Sequence, residues 1–297
     1  MDGLLRSKFM TDKEQDWDIV VKPKTAAFKL NFKEVLGYRD LILLMVKRDV
    51  TTIYKQTILG PLWMLIQPLF ATLIYTFTFG QAQLSTDGIP GLLFYLIGQT
   101  FWTYFAECFN KTSNTFIANA GVFGKVYFPR LVMPISVVLS NLVRLAIQIV
   151  LLTGVYLYFY FSTDKLNPHF LLFLAIPLLV LLIAVFSLSL GILFTSFTTK
   201  YRDLTFLLSF AVQLLMFLSC VVFPASMFKG TTFGVNTQSI LLCNPVATSL
   251  EAIRYIITGN GVFSPAYIFL SAAITLLLFL GSIIVFNRTE KTFMDTV

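Results

Sequence analysis

Charged side chains are scarce in this chain of 297 residues. Asp, Glu, Lys and Arg together make up 12% of the sequence, whereas about a quarter of an ordinary soluble domain is charged, and hydrophobic residues make up 57%. Apolar runs of about 20 residues recur, and a helix of that length crosses a hydrocarbon layer of roughly 30 Å. The runs do not alternate as barrel strands do, so the predicted fold class is an all-α integral membrane protein.

Side chains for enzyme chemistry are also few. The single histidine, His169, cannot form a metal site alone, and no GxSxG, HExxH or paired-carboxylate spacing occurs. The three cysteines, Cys108, Cys220 and Cys243, have no CxxC spacing and are interpreted as packing thiols. We therefore expect no catalytic residues, no metal ligands and no chemistry on a substrate.

A phosphate-binding loop of the GxxxxGK[ST] type is absent as well. The nearest similar segment, from Gly121 to Lys125, has the wrong spacing and the wrong following residue. The chain is therefore not expected to bind a cofactor or to hydrolyse ATP alone. Active transport would need an ion gradient or a second polypeptide as its energy source.

Turn-forming and charged residues divide the apolar sequence into six predicted transmembrane helices. Gly60-Pro61 precedes the first and Asn167-Pro168 the fourth, and both pairs are typical of turns. The predicted helices cover residues 59–80, 91–118, 131–160, 169–195, 204–224 and 266–287. The predicted organisation is a polar extension at 1–31, an interface helix at 32–57, a transmembrane domain at 58–287 and a tail at 288–297.

The segment 32–57 has the pattern of an amphipathic helix. At 100° per residue, one face is apolar and the opposite face is mainly basic. The apolar face contains Val35, Leu36, Ile42, Leu43, Val46, Val50, Ile53 and Tyr54, and the opposite face Lys33, Asp40, Lys47, Arg48 and Lys55. Such a helix is predicted to lie in the membrane interface, with its basic face toward the lipid headgroups.

Lys and Arg are unequally distributed between the two sides of this topology. Of the 22, 17 lie before the first span, in the loops near 119–130 and 196–203, or in the tail, and the other side holds Lys165, Lys229 and Arg254. The positive-inside rule then places both termini in the cytoplasm. This topology explains the net charge of +7, so no nucleic-acid partner is predicted.

The stretch 225–265 contains apolar runs that are too short to cross a membrane, interrupted by Asn244-Pro245 and by Gly259-Asn260-Gly261. We interpret it as two re-entrant helices that enter the membrane from outside, which requires burial in protein or contact with a watery cavity. Glu251 and Arg254 are three residues apart and can pair, either as a gate at the outer mouth or as a stabilising tie.

Three charged residues lie within predicted spans: Glu107, Lys111 and Arg144. Glu107 can pair with Lys111, four residues later on the same helix face, or with Arg144 on the next span. A structural ion pair, a gate or substrate contact, and a proton relay are all compatible with these positions.

An aromatic stripe marks the second predicted span. Its members are Phe94, Phe101 and Phe105 on one face, with Tyr95, Trp102 and Phe109 beside it. Sugar rings present apolar C–H faces that stack on aromatic side chains, so the stripe is a candidate substrate path. Ordinary helix packing would use the same side chains.

Five segments, in this order, resemble one known family. They are YRDLILLMVKRDVTTIYKQTILGPLWMLIQPL, GKVYFPR, KYRDL, NPVATSLEAIRYIITG and NRTEKTFMDTV. Together they are similar to the permease subunit of ABC-type polysaccharide exporters, which secrete lipid-linked O-antigen, capsular polysaccharide or teichoic acid. The resemblance covers the chain from residue 32 to its end.

The resemblance implies an architecture and a set of partners. Members of the family have six transmembrane helices, an amphipathic interface helix, short re-entrant helices before the last span, and cytoplasmic termini. Two copies pair with two copies of a cytoplasmic ATPase, which binds ATP and Mg. The implied protein is a homodimeric permease of the inner or plasma membrane, in contact with membrane lipids, that moves an isoprenoid-linked polysaccharide outward.

The resemblance also implies sites of contact with the ATPase. The segment from Ala120 to Tyr127 corresponds to the cytoplasmic coupling helix, which here reads Ala120, Gly121, Val122, Phe123, Gly124, Lys125, Val126 and Tyr127, followed by Phe128, Pro129 and Arg130 at its exit. Pro129 disfavours helical geometry at Phe128. Tyr201, Arg202 and Asp203 correspond to a second contact. The alternative for the first segment is an ordinary turn between helices. The alternative for the second is a topology anchor, with Asp203 at the start of the next helix.

Two other functions remain open on the sequence alone. An exporter of the same architecture can carry a drug or a lipid, which a path too narrow for a sugar chain would favour. A gradient-driven carrier or channel would transport without an ATPase partner.

Overall fold

The computed structural model describes residues 32–55, 59–123, 128–163, 166–201, 203–228, 230–232 and 235–292. Within these residues the chain is helical except for turns and one pair of two-residue strands. The predicted extension at 1–31 and the end of the predicted tail lie outside the described residues.

The predicted interface helix consists of two pieces, α1 (Phe32–Gly37) and α2 (Arg39–Lys55), which are separated by a turn at Tyr38. Helix α2 packs mainly against the later helix that begins at Val132. Its buried face contains Ile42 and also Met45, which the sequence pattern omitted. The predicted apolar residues Leu36 and Leu43 are 69% and 63% exposed, so the described residues leave part of the apolar face uncovered.

Helix α3 (Trp63–Gln81) follows a 3-10 turn at Gly60–Leu62 and leads through a loop into α4 (Gly91–Ser113). The predicted span 91–118 is too long, because α4 ends at Ser113. The side chain of Asn114 donates to the backbone oxygen of Asn110 at 2.9 Å. In a continuing helix that oxygen would accept from the backbone N–H of Asn114, which here bonds to the oxygen of Thr112 instead. Two short helices continue the chain, α5 (Thr115–Ala118) and α6 (Ala120–Phe123).

Three further helices correspond to the third, fourth and fifth predicted spans. They are α7 (Val132–Ser162), α8 (Ile176–Thr198), which follows a 3-10 segment at Phe170–Ala175, and α9 (Leu204–Leu218). The predicted span 204–224 is too long, because the residues after Leu218 form a bend instead of a further helical turn.

The stretch before the last helix is folded from short elements. Strand β1 (Thr231–Thr232) pairs antiparallel with β2 (Val235–Asn236), with Thr231 opposite Asn236. Helices α10 (Thr237–Leu242), α11 (Pro245–Thr258) and α12 (Pro265–Thr292) follow.

Helix α11 has well-defined ends. The side chain of Asn244 accepts from the backbone N–H of Val246 at 3.0 Å and caps its first turn. Gly259 ends it in the left-handed region, at φ 78°, where a side chain is unfavourable. A Cβ at Gly259 would also lie 2.3 Å from the backbone oxygen of Asn167, so a glycine is required at this position on two grounds.

Among the described residues, four helical segments are long and apolar enough to cross a membrane: 60–81, 132–162, 170–198 and 265–287. Helix α9 is also apolar but has only 15 residues. Helix α4 has 23 residues and is the most buried of the long helices, with Leu93 and Leu96 fully enclosed. It packs against α3, α7 and α8, and α8 packs in turn against α12, so α4 and α8 form the centre of the bundle.

Candidate functional site

Glu251 and Arg254 form a fully buried ion pair. Arg254 Nη1 lies 2.9 Å from Glu251 Oε1, and each side chain is 1% exposed. The spacing of three residues on one helix face predicted this pair, and the structure confirms the contact.

The guanidinium of Arg254 has further partners outside α11. Its Nη1 donates to the backbone oxygen of Cys220 at 2.6 Å, and its Nη2 donates to that of Val221 at 2.8 Å. Its Cζ lies 3.7 Å from the centre of the Phe94 ring, a short cation–π contact. A Cβ on Gly98 would lie 2.7 Å from Nη2, so glycine at this position of α4 makes room for the guanidinium.

Glu251 is held from its other side by backbone donors. Its Oε1 accepts from the N–H of Ala225, and its Oε2 accepts from the N–H of Val262, both at 3.3 Å. The pair therefore joins α11 to α4, to the bend after α9 and to the loop before α12. The network of backbone partners favours a stabilising tie, and a role as a gate stays a prediction.

A second charged cluster lies between α4 and α7. Glu107 contacts both of its predicted partners at once: Oε2 lies 2.8 Å from Lys111 Nζ, and Oε1 lies 3.0 Å from Arg144 Nη1. The spacing along the sequence predicted these two contacts as alternatives. Lys111 Nζ also donates to Asn141 Oδ1 at 3.3 Å. The side chains of Lys111, Glu107 and Arg144 are 45%, 33% and 20% exposed, so this cluster is accessible where the first pair is not.

The aromatic stripe is enclosed by helices of the same chain. Its six members, Phe94, Tyr95, Phe101, Trp102, Phe105 and Phe109, are between 1% and 4% exposed. Phe105 stacks between Phe109 and Phe186 of α8, with ring centres 6.1 Å and 5.8 Å away. The side chains are therefore packed against one another in this structure, and their role as a substrate path stays a prediction.

The predicted coupling segment is described only in part. Helix α6 covers Ala120–Phe123, whereas Gly124 to Tyr127 lie outside the described residues, as do the side chains of Ala120 and Phe123. Phe128 and Pro129 are buried, and the guanidinium of Arg130 lies 6.0 Å from the Phe116 ring. The exit of the segment is thus fixed against the bundle.

The second predicted contact lies between α8 and α9. Tyr201 is 55% exposed, and Lys200 Nζ lies 5.2 Å from its ring centre. Asp203 immediately precedes α9 without a side-chain capping bond, and Arg202 lies outside the described residues. Tyr201 and Asp203 lie at the same end of the bundle as α6, because Thr198 at the end of α8 donates to the backbone oxygen of Ser113 at the end of α4, at 2.6 Å.

Two of the cysteines are core residues. Cys108 and Cys220 are buried and Cys243 is exposed, and all three are free. Within the described residues, no group of three or more His, Cys, Asp and Glu side chains is placed to hold a metal ion.

The partners of Arg254 outside its own helix were not predicted from the sequence. Cys220 and Val221 contribute only backbone oxygens, which leave no trace in side-chain chemistry. Gly98, an isolated glycine within the predicted second span, was the available signal for a close approach.

A comparison with protein-family models matches residues 40–258 to the model described as ABC-2 type transporter. The chain is 26% identical to the O-antigen export system permease protein RfbA of Klebsiella pneumoniae, over 90% of this chain and 98% of the relative. It is 24% identical to the protein of the same name from Myxococcus xanthus, over 89% and 98%. It is also 24% identical to the polysialic acid transport protein KpsM of Escherichia coli, over 82% and 91%.

Proposed function

Because the chain belongs to the ABC-2 type transporter family, we propose that it is the permease subunit of an ATP-driven polysaccharide exporter whose ATPase is a separate polypeptide. The observation that carries this proposal is the similarity to relatives named for O-antigen export and polysialic acid transport, over most of the length of both chains. The absence of a phosphate-binding loop in the sequence agrees with a division of labour between two subunits.

In the proposed topology, α4 and α9 join the four long apolar helices to make six crossings, with both termini in the cytoplasm. The excess of Lys and Arg on one side of these crossings supports the orientation. The membrane is then the inner or plasma membrane. Helices α10 and α11, with 6 and 14 residues, are too short to cross and are proposed to enter the membrane from outside.

The proposed assembly is a homodimer with two copies of the ATPase. Nucleotide binding and hydrolysis in the ATPase would act on the permease through α6 and residues 124–130, through residues 201–203, and through the interface helix. For the aromatic stripe to line the path of an isoprenoid-linked polysaccharide, α4 has to separate from α8 during transport, because Phe105 and Phe186 now stack across that boundary.

The proposal predicts that cells which lack this chain lose surface polysaccharide and accumulate the lipid-linked polymer at the cytoplasmic face. Export should return when the chain is supplied together with its ATPase, and should remain at background when the ATPase carries a disabled phosphate-binding loop. Surface glycan staining and extraction of the lipid-linked polymer measure the two quantities. Transport by the purified chain in liposomes without any ATPase would contradict the proposal.

A second prediction concerns coupling. Phe123→Asp is expected to lower the amount of ATPase that co-purifies with the permease at least about tenfold. The reason is that a carboxylate placed in an apolar groove of the ATPase loses its hydration without gaining a partner. Quantitative co-purification measures the effect. The matched control is Phe161→Asp at the other end of α7, where the phenylalanine is 81% exposed. Equal retention of the ATPase by both variants would assign residues 120–127 to an ordinary turn.

A further inference from the structure

Helix α7 is mainly apolar but carries a polar stripe. Ser140, Asn141, Arg144 and Gln148 follow one another at spacings that keep them on one side of the helix. Gln148 Nε2 donates to the backbone oxygen of Met64 at 3.3 Å, which fixes the level of α7 against the first turn of α3.

The depth of this stripe in the membrane follows from helix lengths. Helix α3 has 19 residues and rises about 28 Å, close to the thickness of the hydrocarbon layer, so its first turn lies near the cytoplasmic edge of that layer. Arg144 precedes Gln148 by one turn and therefore lies about 6 Å farther toward the cytoplasm than Met64.

A second measure gives the same depth. Helix α4 begins at Gly91, on the side of the membrane where α3 ends, and Lys111 lies about 30 Å from Gly91 along the helix axis. Lys111 and Arg144 are thus both at the cytoplasmic edge of the hydrocarbon layer. This is the level at which the phosphate groups of lipids in that leaflet lie.

The cluster has unused capacity for an anion. Two cations share one carboxylate, which leaves a formal charge of +1 on Glu107, Lys111 and Arg144. Glu107 uses Nη1 of Arg144, and Nε of the same guanidinium is buried without a hydrogen-bond partner among the described residues. Lys111 carries three N–H donors, and 45% of its side chain is exposed.

We propose that Lys111 and Arg144 bind a phosphate or diphosphate group that is carried on a lipid, and that Glu107 holds the two cations in position. The inference rests on the proposed function, in which the polysaccharide is linked to an isoprenoid lipid. A guanidinium presents a planar fork of donors that matches phosphate oxygens, and an ammonium adds a compact positive charge beside it. The site places such a group where its lipid chain can remain in the cytoplasmic leaflet.

Two lipids share this chemistry: a prenyl diphosphate and an ordinary anionic phospholipid. The full-length permease, reconstituted with its ATPase in phosphatidylcholine nanodiscs, is titrated with a radiolabelled prenyl diphosphate. Unlabelled phosphatidylglycerol and inorganic diphosphate serve as competitors. Displacement by phosphatidylglycerol at equal concentration assigns the site to bulk lipid phosphate, and its absence assigns the site to the diphosphate. Equal displacement by inorganic diphosphate would overturn the requirement for a lipid chain.

Variants of the two cations and of Glu107 are expected to change the binding affinity in opposite directions. Arg144→Gln and Lys111→Gln are each expected to weaken binding about tenfold, because each removes a charge-assisted contact. Glu107→Gln is expected to strengthen binding, since the cluster loses its negative charge while the glutamine oxygen can still accept from Lys111 and Arg144. Arg39→Gln, which removes an exposed cation of α2 from the same side of the membrane, is the matched control and should bind as the wild type does.

A purely structural tie would behave differently. In that case Glu107→Gln and Arg144→Gln would both weaken binding of the prenyl diphosphate, and that result would overturn the proposal. Unchanged binding in Arg144→Gln would overturn it as well. Arg144→Lys, which keeps the charge but loses the fork, should lie between wild type and Arg144→Gln, and it replaces that variant if Gln prevents folding. Normal binding by these variants, together with polysaccharide export by the wild-type permease in cells, would refute the binding site but not the proposed function. Failure of the wild-type permease to restore export with its ATPase would refute the proposed function.

Discussion

Arg254→Met is expected to destabilise the helical bundle by about 3–5 kcal/mol, because it leaves the carboxylate of Glu251 buried without its cation. The substitution also removes the donors to the backbone oxygens of Cys220 and Val221. Buried acceptors that lose their donors add to the loss of stability. Thermal unfolding of the purified protein in detergent measures the effect, with the fraction of protein that stays monodisperse at each temperature as the readout.

Two variants make this test specific. Arg39→Met removes a guanidinium that is 81% exposed at the side chain and is expected to change stability little. The double variant Glu251→Met with Arg254→Met removes both charges and should recover part of the lost stability, since no unpaired charge remains. An Arg254→Met protein that unfolds at the wild-type temperature would show that the pair contributes little to the fold.

Gly191→Ala is expected to cost about 2–3 kcal/mol, at the upper end for overpacking in a core. A Cβ at Gly191 of α8 would lie 2.5 Å from Cβ of Thr112 and 2.6 Å from its Cγ2, so α4 and α8 would have to move apart. These two helices form the centre of the bundle, and neighbouring contacts such as Phe105 on Phe186 depend on their approach.

For the control variant of this prediction, the expected change in stability has the opposite sign. A Cβ at Gly154 of α7 meets nothing within 4 Å, and alanine is favoured over glycine within a helix, so Gly154→Ala should be neutral or stabilising by about 0.5–1 kcal/mol. Adding Thr112→Gly to Gly191→Ala exchanges the small residue between the helices and should restore most of the lost stability. Similar unfolding temperatures for Gly191→Ala and Gly154→Ala would mean that α4 and α8 are not closely packed there.

Helix starts were predicted well, since the signals for them are local. The predicted second and fifth spans begin at 91 and 204, where α4 and α9 begin. Both spans were predicted to end too late. The residues after Leu218 are as apolar as a helix requires, but the backbone oxygens of Cys220 and Val221 are used by Arg254, which lies more than 30 residues later in the chain. A local pattern contains no information about such a distant partner.

The charged residues show the same division between local and distant information. Spacing along one helix predicted the contacts of Glu107 with Lys111 and of Glu251 with Arg254, because residues three or four apart share a helix face. Spacing did not predict that Arg144 joins Glu107 at the same time, or that one pair is enclosed and the other accessible. Both depend on how α7 and α11 pack against α4, which only the folded chain determines.

The unequal lengths of α7 and α9 have a consequence for the lipids around the protein. Helix α7, with 31 residues, rises about 46 Å, whereas α9, with 15, rises about 22 Å, less than the usual hydrocarbon thickness of roughly 30 Å. Hydrophobic mismatch of this kind is relieved by local thinning of the bilayer. With α9 as a crossing of the proposed topology, acyl chains beside it would be compressed, and membranes built from shorter or more disordered chains should accommodate the protein with less deformation.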